Sequence, residues 1–172
     1  MKISASYWIF EGGLEGKLPI HEAMEQASQL GFDAIELGIA SQGVLTHRTT
    51  QAECETICTM AKKNGLEISG VASGESWASS PTSSEVKVRE TILDFTQKAL
   101  QITQWLGTDA YLFVPGAVDV FFLPEAEVVP YDVCYDRATE AISKLLPTAE
   151  KLGVSIAVEN VWNKFLLSPL EM

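Results

Sequence analysis

Positive charge is scarce in this sequence. Of 172 residues, 12 are Lys or Arg and 23 are Asp or Glu, a formal net charge of −11. Such a surface repels phosphate backbones and argues against nucleic acid as a partner. A small anionic substrate stays open, because a bound metal reverses the local field. Histidine occurs twice, as His21 and His47. A lone His is more often a surface or satisfied residue than a ligand. His47 alone falls in a loop where substrate contact is open to it. Cysteine occurs three times, as Cys54, Cys58 and Cys134. Cys54 and Cys58 are four apart on an expected helix and share a face. No Cys or His partner lies near them, so they read as reduced, buried or half-buried thiols. No apolar run approaches the ~20 residues of a membrane span. The N-terminal MKISASYWIF lacks the layout of a signal peptide. The expectation is a cytoplasmic protein with no membrane partner.

What is present is a globular composition, 47% hydrophobic, in a chain long enough for one domain over residues 1–172. One pattern recurs. A helical stretch ends at Gly and a short apolar strand follows: LGFDAIELG at Gly31, NGLEISGV at Gly65, LGTDAYLFV at Gly107 and LGVSIAVEN at Gly153. Gly supplies the left-handed conformation that turns a helix end into the next strand. Strands alternating with helices predict a parallel sheet with right-handed crossovers.

The expected strands are Lys2–Tyr7, Ala34–Gly38, Glu67–Ala72, Ala110–Val114 and Val154–Glu159. The expected helices are Ile20–Leu30, Gln51–Asn64, a long one ending near Leu106, and Asp132–Leu152. A capping box, Thr50 with Glu53, opens the second helix, and Thr82 with Glu85 has the same form before the third. Pro147 should kink or divide the last helix. Beyond strand five, Ser168-Pro169-Leu170-Glu171 has the layout of a helix start, and Met172 follows at once. The expectation is a chain that stops as its next helix begins.

Four βα units and a fifth strand fill the chain to residue 159. Eight such units give somewhat over ~250 residues, the usual size of a (β/α)8 barrel. The fold class expected is therefore α/β, a TIM barrel of which this chain supplies about four and a half units. The rival is a complete doubly wound sheet of five strands. It would end on a covering helix, and a dinucleotide-binding version would carry a Gly-rich loop after strand one, which is missing.

Strand five shows where chemistry would sit. With a period of two, Ser155, Ala157 and Glu159 share one face, and Ile156 and Val158 the other. Branched residues suit helix packing, and small ones suit a barrel interior. Glu159 then lies inside, at the C-terminal strand end, where barrel enzymes keep their active sites. A carboxylate there needs a cation or a hydrogen-bond network; the alternative is a structural ion pair.

The stretch AVENVWNKFLLSPLEM, with VVPYDVCYDRA before it, resembles the fifth-strand region of sugar phosphate isomerases/epimerases in the xylose-isomerase-like barrel superfamily. SYWIFEG, LGFDAIELG, GVLTHRTTQAEC and LFVPGAV match elsewhere, so the resemblance spans the chain. It implies a divalent metal, Mn2+ or Mg2+ with Zn2+ or Co2+ as alternatives. Four side chains would hold it: a Glu from strand five, then Asp, His and Glu from strands six to eight. Only the first maps here, as Glu159, both metal ligand and catalytic residue. The implied reaction isomerises or epimerises a ketose, an aldose or a sugar phosphate by proton transfer through a metal-stabilised enediolate.

Seven other residues are substrate-binding candidates. Tyr7 and Trp8 end strand one, where a sugar's apolar face could pack, as could the core. Glu36 ends strand two on an inward or an ion-paired face. Trp77, with Glu75, lies in the third loop. Trp162, Asn163 and Lys164 follow Glu159. Asn163-Lys164-Phe165 is similar to an Asn-Arg-Phe run of ketohexose epimerases, displaced by one residue. Leu166 stands where those enzymes carry Glu, which argues against a free ketohexose.

Three further readings stand beside this one. A three-zinc abasic-site endonuclease of the same superfamily would need His after strands three and four, where Ser73-Gly74 and Val114-Pro115 occur. A polyol dehydratase or lyase fits the same half-barrel. A non-catalytic half-barrel would form a homo-oligomer through its open sheet edges. On the resemblance, the 172 residues alone are expected to be weakly active or inactive.

Overall fold

The four repeating glycines turn the chain as their positions predict. Gly31, Gly65, Gly107 and Gly153 have φ of 82°, 70°, 74° and 65°, a region that side chains with a Cβ rarely enter. Each follows a helix and precedes a strand. The computed structural model describes residues 1–172. In chain order the elements are β1 (Ser4–Ser6), a 3-10 turn (Tyr7–Ile9), α1 (Ile20–Gln29), β2 (Ala34–Gly38), α2 (Gln51–Lys63), β3 (Glu67–Ala72), α3 (Glu75–Ala78), α4 (Val86–Trp105), β4 (Ala110–Phe113), α5 (Tyr131–Leu152) and β5 (Ser155–Val158).

The strands form one parallel sheet in the order β1-β2-β3-β4-β5. The register is regular except at Ile35/Glu36, where β3 slips against β2. Sequential parallel neighbours require each crossover to return on the same side. The helices therefore cover one face. That outer face carries Ala5, Ile35, Leu37, Val71, Tyr111 and Phe113, each exposed by 1% or less. They pack with Met24 and Ala27 of α1, Cys54 of α2, Ala99 and Leu100 of α4 and Leu145 of α5 in one core. All three cysteines are free thiols. No helix is long and apolar enough to cross a membrane.

Several sequence expectations change in detail. The capping box on α2 forms: Thr50 N donates to Glu53 Oε2 at 2.7 Å, and Glu53 N to Thr50 Oγ1 at 3.4 Å. The second box does not. The α4 cap position is Glu85, with no side-chain cap bond. Thr82 is instead fully buried. Its hydroxyl accepts from Ala117 N and donates to Ala117 O, each at 3.1 Å. Buried backbone groups gain more from that hydroxyl than a solvated helix end does. Pro147 lies inside α5 and does not divide it. Ala141, Leu145 and Ala149 on either side of it are all buried, and that packing carries the helix past the lost hydrogen bond. β1 stops at Ser6, because Tyr7 enters the 3-10 turn. The short helix α3 has no strong sequence signal.

Candidate functional site

All five strands deliver residues to a single cleft at their C-terminal ends. Its volume is about 860 Å³. Tyr7 and Trp8 reach it from β1, Gly38 and Ile39 from β2, Ser73, Glu75 and Trp77 after β3, Leu112 and Val114 from β4, and Glu159 through Trp162 from β5. This is the end of a βα layer where strand termini leave loops free to vary.

Glu159 follows β5 directly. Its N–H donates to Phe113 O at 3.1 Å, which extends the ladder by one residue and fixes the Cα against β4. The side chain falls on the inner face with Ser155 and Ala157, and all three are exposed. The chain has four ion pairs, and none engages Glu159.

Glu36 shares that inner face from β2 and is half-buried. Burial raises its carboxyl pKa above 4.5; the Ser6 hydroxyl opposes the shift and the charge of Glu159 adds to it. The two carboxylates therefore feel each other across the sheet. Glu36 is not part of the cleft wall. No three His, Cys, Asp or Glu side chains converge anywhere in the chain. Its own residues thus bring no three potential metal ligands together.

The walls are set by close packing. A Cβ on Gly38 would stand 2.7 Å from Trp8 Nε1, so glycine there lets the indole lie across the end of β2. Tyr7 donates from its hydroxyl to Leu18 O at 2.6 Å and is 2% exposed. Only part of its ring meets the cleft. Glu75 Oε1 accepts from Ser41 N at 2.7 Å, which ties α3 to the loop after β2. His47 has a buried, unpartnered Nδ1, sits edge-on to Phe95 at 5.5 Å and does not line the cleft.

The run after Glu159 divides. Trp162 lines the cleft and is 76% exposed. Asn163 and Lys164, expected beside it, do not reach the cleft. Asn163 is fully buried. Its Nδ2 donates to Gly116 O at 2.6 Å, its Oδ1 accepts from Phe165 N at 3.1 Å, and its carbonyl accepts from Val118 N and Asp119 N. Lys164 pairs with Asp119 at 2.5 Å. The cause is local. Lys164 and Leu166 both take φ of 54°, which folds the segment under the β4–α5 loop. Leu166 is buried with Phe165, Val129, Cys134 and Ala138. The sequence reading also overlooked Leu14 and Glu15 in the first loop, and the apolar pair Phe121-Phe122 in a loop flanked by Pro115 and Pro124.

A family model described as xylose isomerase-like TIM barrel matches residues 24–171. The chain belongs to that family. Among proteins of curated function none matches it. Solved structures of similar fold include a D-psicose 3-epimerase in the presence of D-fructose, with a TM-score of 0.73 and 22% identity over 94% of this chain. A second is D-psicose 3-epimerase with D-tagatose from Clostridium cellulolyticum H10, with a TM-score of 0.78 and 16% identity over 99%. A third is a 3-keto-D-glucoside 4-epimerase from E. coli, with a TM-score of 0.70 and 16% identity over 95%. At these identities the likeness is one of fold. The chain spans 53% of the first and 57% of the other two, just over half their length. Its five parallel strands are thus an incomplete TIM barrel of about four and a half βα units.

Proposed function

We propose that these strands belong to a sugar isomerase or epimerase in which Glu159 moves the proton. One observation supports the reading above others: a strand-end carboxylate, free of any ion pair, in a cleft built from all five strand termini. The carbon beside a sugar carbonyl is the acidic one. A carboxylate within reach takes its proton as the C–H bond breaks, and the electron pair moves onto the carbonyl oxygen. Return of a proton to the opposite face gives an epimer, and return to the neighbouring carbon gives an isomer. Trp8 and Trp162 offer flat apolar walls that suit a sugar's C–H face.

A hard divalent cation, Mn2+ or Mg2+, goes with this reading, with Glu159 as one oxygen ligand. When bound, such an ion would polarise the sugar carbonyl. The remaining ligands would have to come from outside residues 1–172, since the chain assembles no cluster of its own. A cytoplasmic location also goes with it.

The test is deuterium exchange from D2O into the carbon beside the carbonyl of a ketose. A protein with all eight strands is expected to catalyse it, and Glu159→Gln to abolish it with little change in folding. The 172 residues alone are expected to be weakly active or inactive. Exchange by them, lost in Glu159→Gln, would overturn that expectation; exchange indifferent to Glu159→Gln would remove the residue from the chemistry. A second reading draws on β1 and β5, each paired on one side only. Two copies could pair these edges as a homo-oligomer without catalysis. A monomeric mass by sedimentation would exclude it.

A further inference from the structure

Three of the four tryptophans, Trp8, Trp77 and Trp162, line the cleft. The fourth, Trp105, packs against the core. From Trp77 an aromatic row leads outward. Phe122 meets Trp77 edge-on at 5.1 Å, and Phe121 meets Phe122 at 5.2 Å. Exposure rises along it, to 43% at Phe122 and 70% at Phe121. Single exposed apolar residues need no explanation, but a contiguous row that begins in a cleft does.

The loop that carries the row has a fixed base. Thr82 holds Ala117 at 3.1 Å, Asn163 holds Gly116 at 2.6 Å, and Val129 N donates to Val118 O at 2.9 Å. The phenyl rings are thus presented from a braced support, which lowers the cost of ordering them on a ligand.

No Lys, Arg or His is among the lining residues, and the charged ones are Glu15, Glu75 and Glu159. With no cation bound, these walls repel a phosphate dianion; a divalent ion held at Glu159 would reverse the field there.

On the footing of the sugar chemistry proposed above, we infer that the substrate is a carbonyl sugar carrying a second ring, which rests on Trp77, Phe122 and Phe121. The second ring is a glycosyl or an aryl group; both present an apolar face to aromatic side chains.

Four ligands substituted at one position test this: D-fructose, its 6-phosphate, its 6-O-glucosyl derivative isomaltulose, and 6-O-benzyl-D-fructose. Binding to the 172-residue chain is read by tryptophan emission and saturation-transfer NMR. The ringed sugars are expected to bind about threefold to tenfold more tightly than D-fructose, and the phosphate most weakly. A gain for isomaltulose alone assigns the second ring as a sugar, and a gain for the benzyl ether alone as an aryl group. In Phe121→Ala/Phe122→Ala, two exposed positions whose loss leaves the core intact, the ratio to D-fructose is expected to fall to what Trp77 alone supports. Tightest binding by the phosphate, or a ring preference undiminished by the double substitution, would overturn the assignment while leaving a sugar site in place. Binding of none of the four would overturn the assignment together with the reading of the cleft.

Discussion

The two faces of the sheet differ in kind, although the same five strands make both. Outward, Ile35, Leu37, Val71, Tyr111 and Phe113 are sealed beneath helices at 1% exposure or less. Inward, Ser4, Ser6, Glu36, Ser155, Ala157 and Glu159 are small or polar and stay at least partly open, and Ala34 and Ala72, which are buried on that face, are small. Apolar area removed from water contributes about 25 cal/mol per Å², so stability is concentrated on the outer face. The inner face carries little of it and is free to hold carboxylates.

Neighbours on β4 would break or sharpen this contrast most strongly. Phe113 points outward and is 1% exposed. Leu112 points inward, is only partly buried and lines the cleft. Phe113→Ala is expected to lower the unfolding free energy by about 3–5 kcal/mol, and Leu112→Ala by less than half as much. Urea titration with matched m-values would measure both. Equal losses would mean that the inner face is packed as tightly as the outer one.

The next effect lies in the segment after Glu159. Asn163 satisfies buried partners in the β4–α5 loop, whereas the Lys164–Asp119 pair has the lysine 62% exposed. Asn163→Ala would leave Gly116 O and Phe165 N without their partner and is expected to cost about 1–3 kcal/mol. Lys164→Ala is expected to cost less than about 1 kcal/mol. If Lys164→Ala proves the more damaging, the loop is held by charge and not by the buried amide. Either result sets how firmly Phe121 and Phe122 are held.

Local signals made much of this readable from sequence. β2 and β3 match their expected bounds residue for residue, because a left-handed Gly stops each preceding helix and a short apolar run follows. The inward direction of Glu159 followed from alternation with Ser155 and Ala157. Distant competitors hid the rest. Thr82 and Glu85 have the form of a capping box, but the partner that captures Thr82 is Ala117, 35 residues away. By sequence Asn163 is a substrate-binding candidate, because it follows Glu159 closely and resembles the Asn of an Asn-Arg-Phe run. Its partner, Gly116, lies 47 residues back, in a loop whose path no local pattern reveals. Positive φ at Lys164 and Leu166 is unusual for those residue types, so the turn that buries Asn163, Phe165 and Leu166 carried no signal either.

The smallest effect concerns Glu36, the half-buried carboxylate of the inner face. Burial, foremost, and the charge of Glu159 raise its pKa above 4.5, against the Ser6 hydroxyl. The folded state therefore binds this proton more tightly than the unfolded state does. The resulting stabilisation is fully present below pH 4.5 and is lost as pH rises through the folded pKa. At neutral pH the ionised group is a net burden on the fold. Gln keeps the shape and carries no charge. Glu36→Gln is thus expected to raise the midpoint of thermal unfolding at pH 7 in the presence of EDTA, with the advantage shrinking as pH falls toward 4. Destabilisation by Glu36→Gln at pH 7 would mean that the carboxylate is held by favourable partners. The inner face would then contribute to stability through its charges, and the division between a face that folds and a face free for chemistry would fail at that residue.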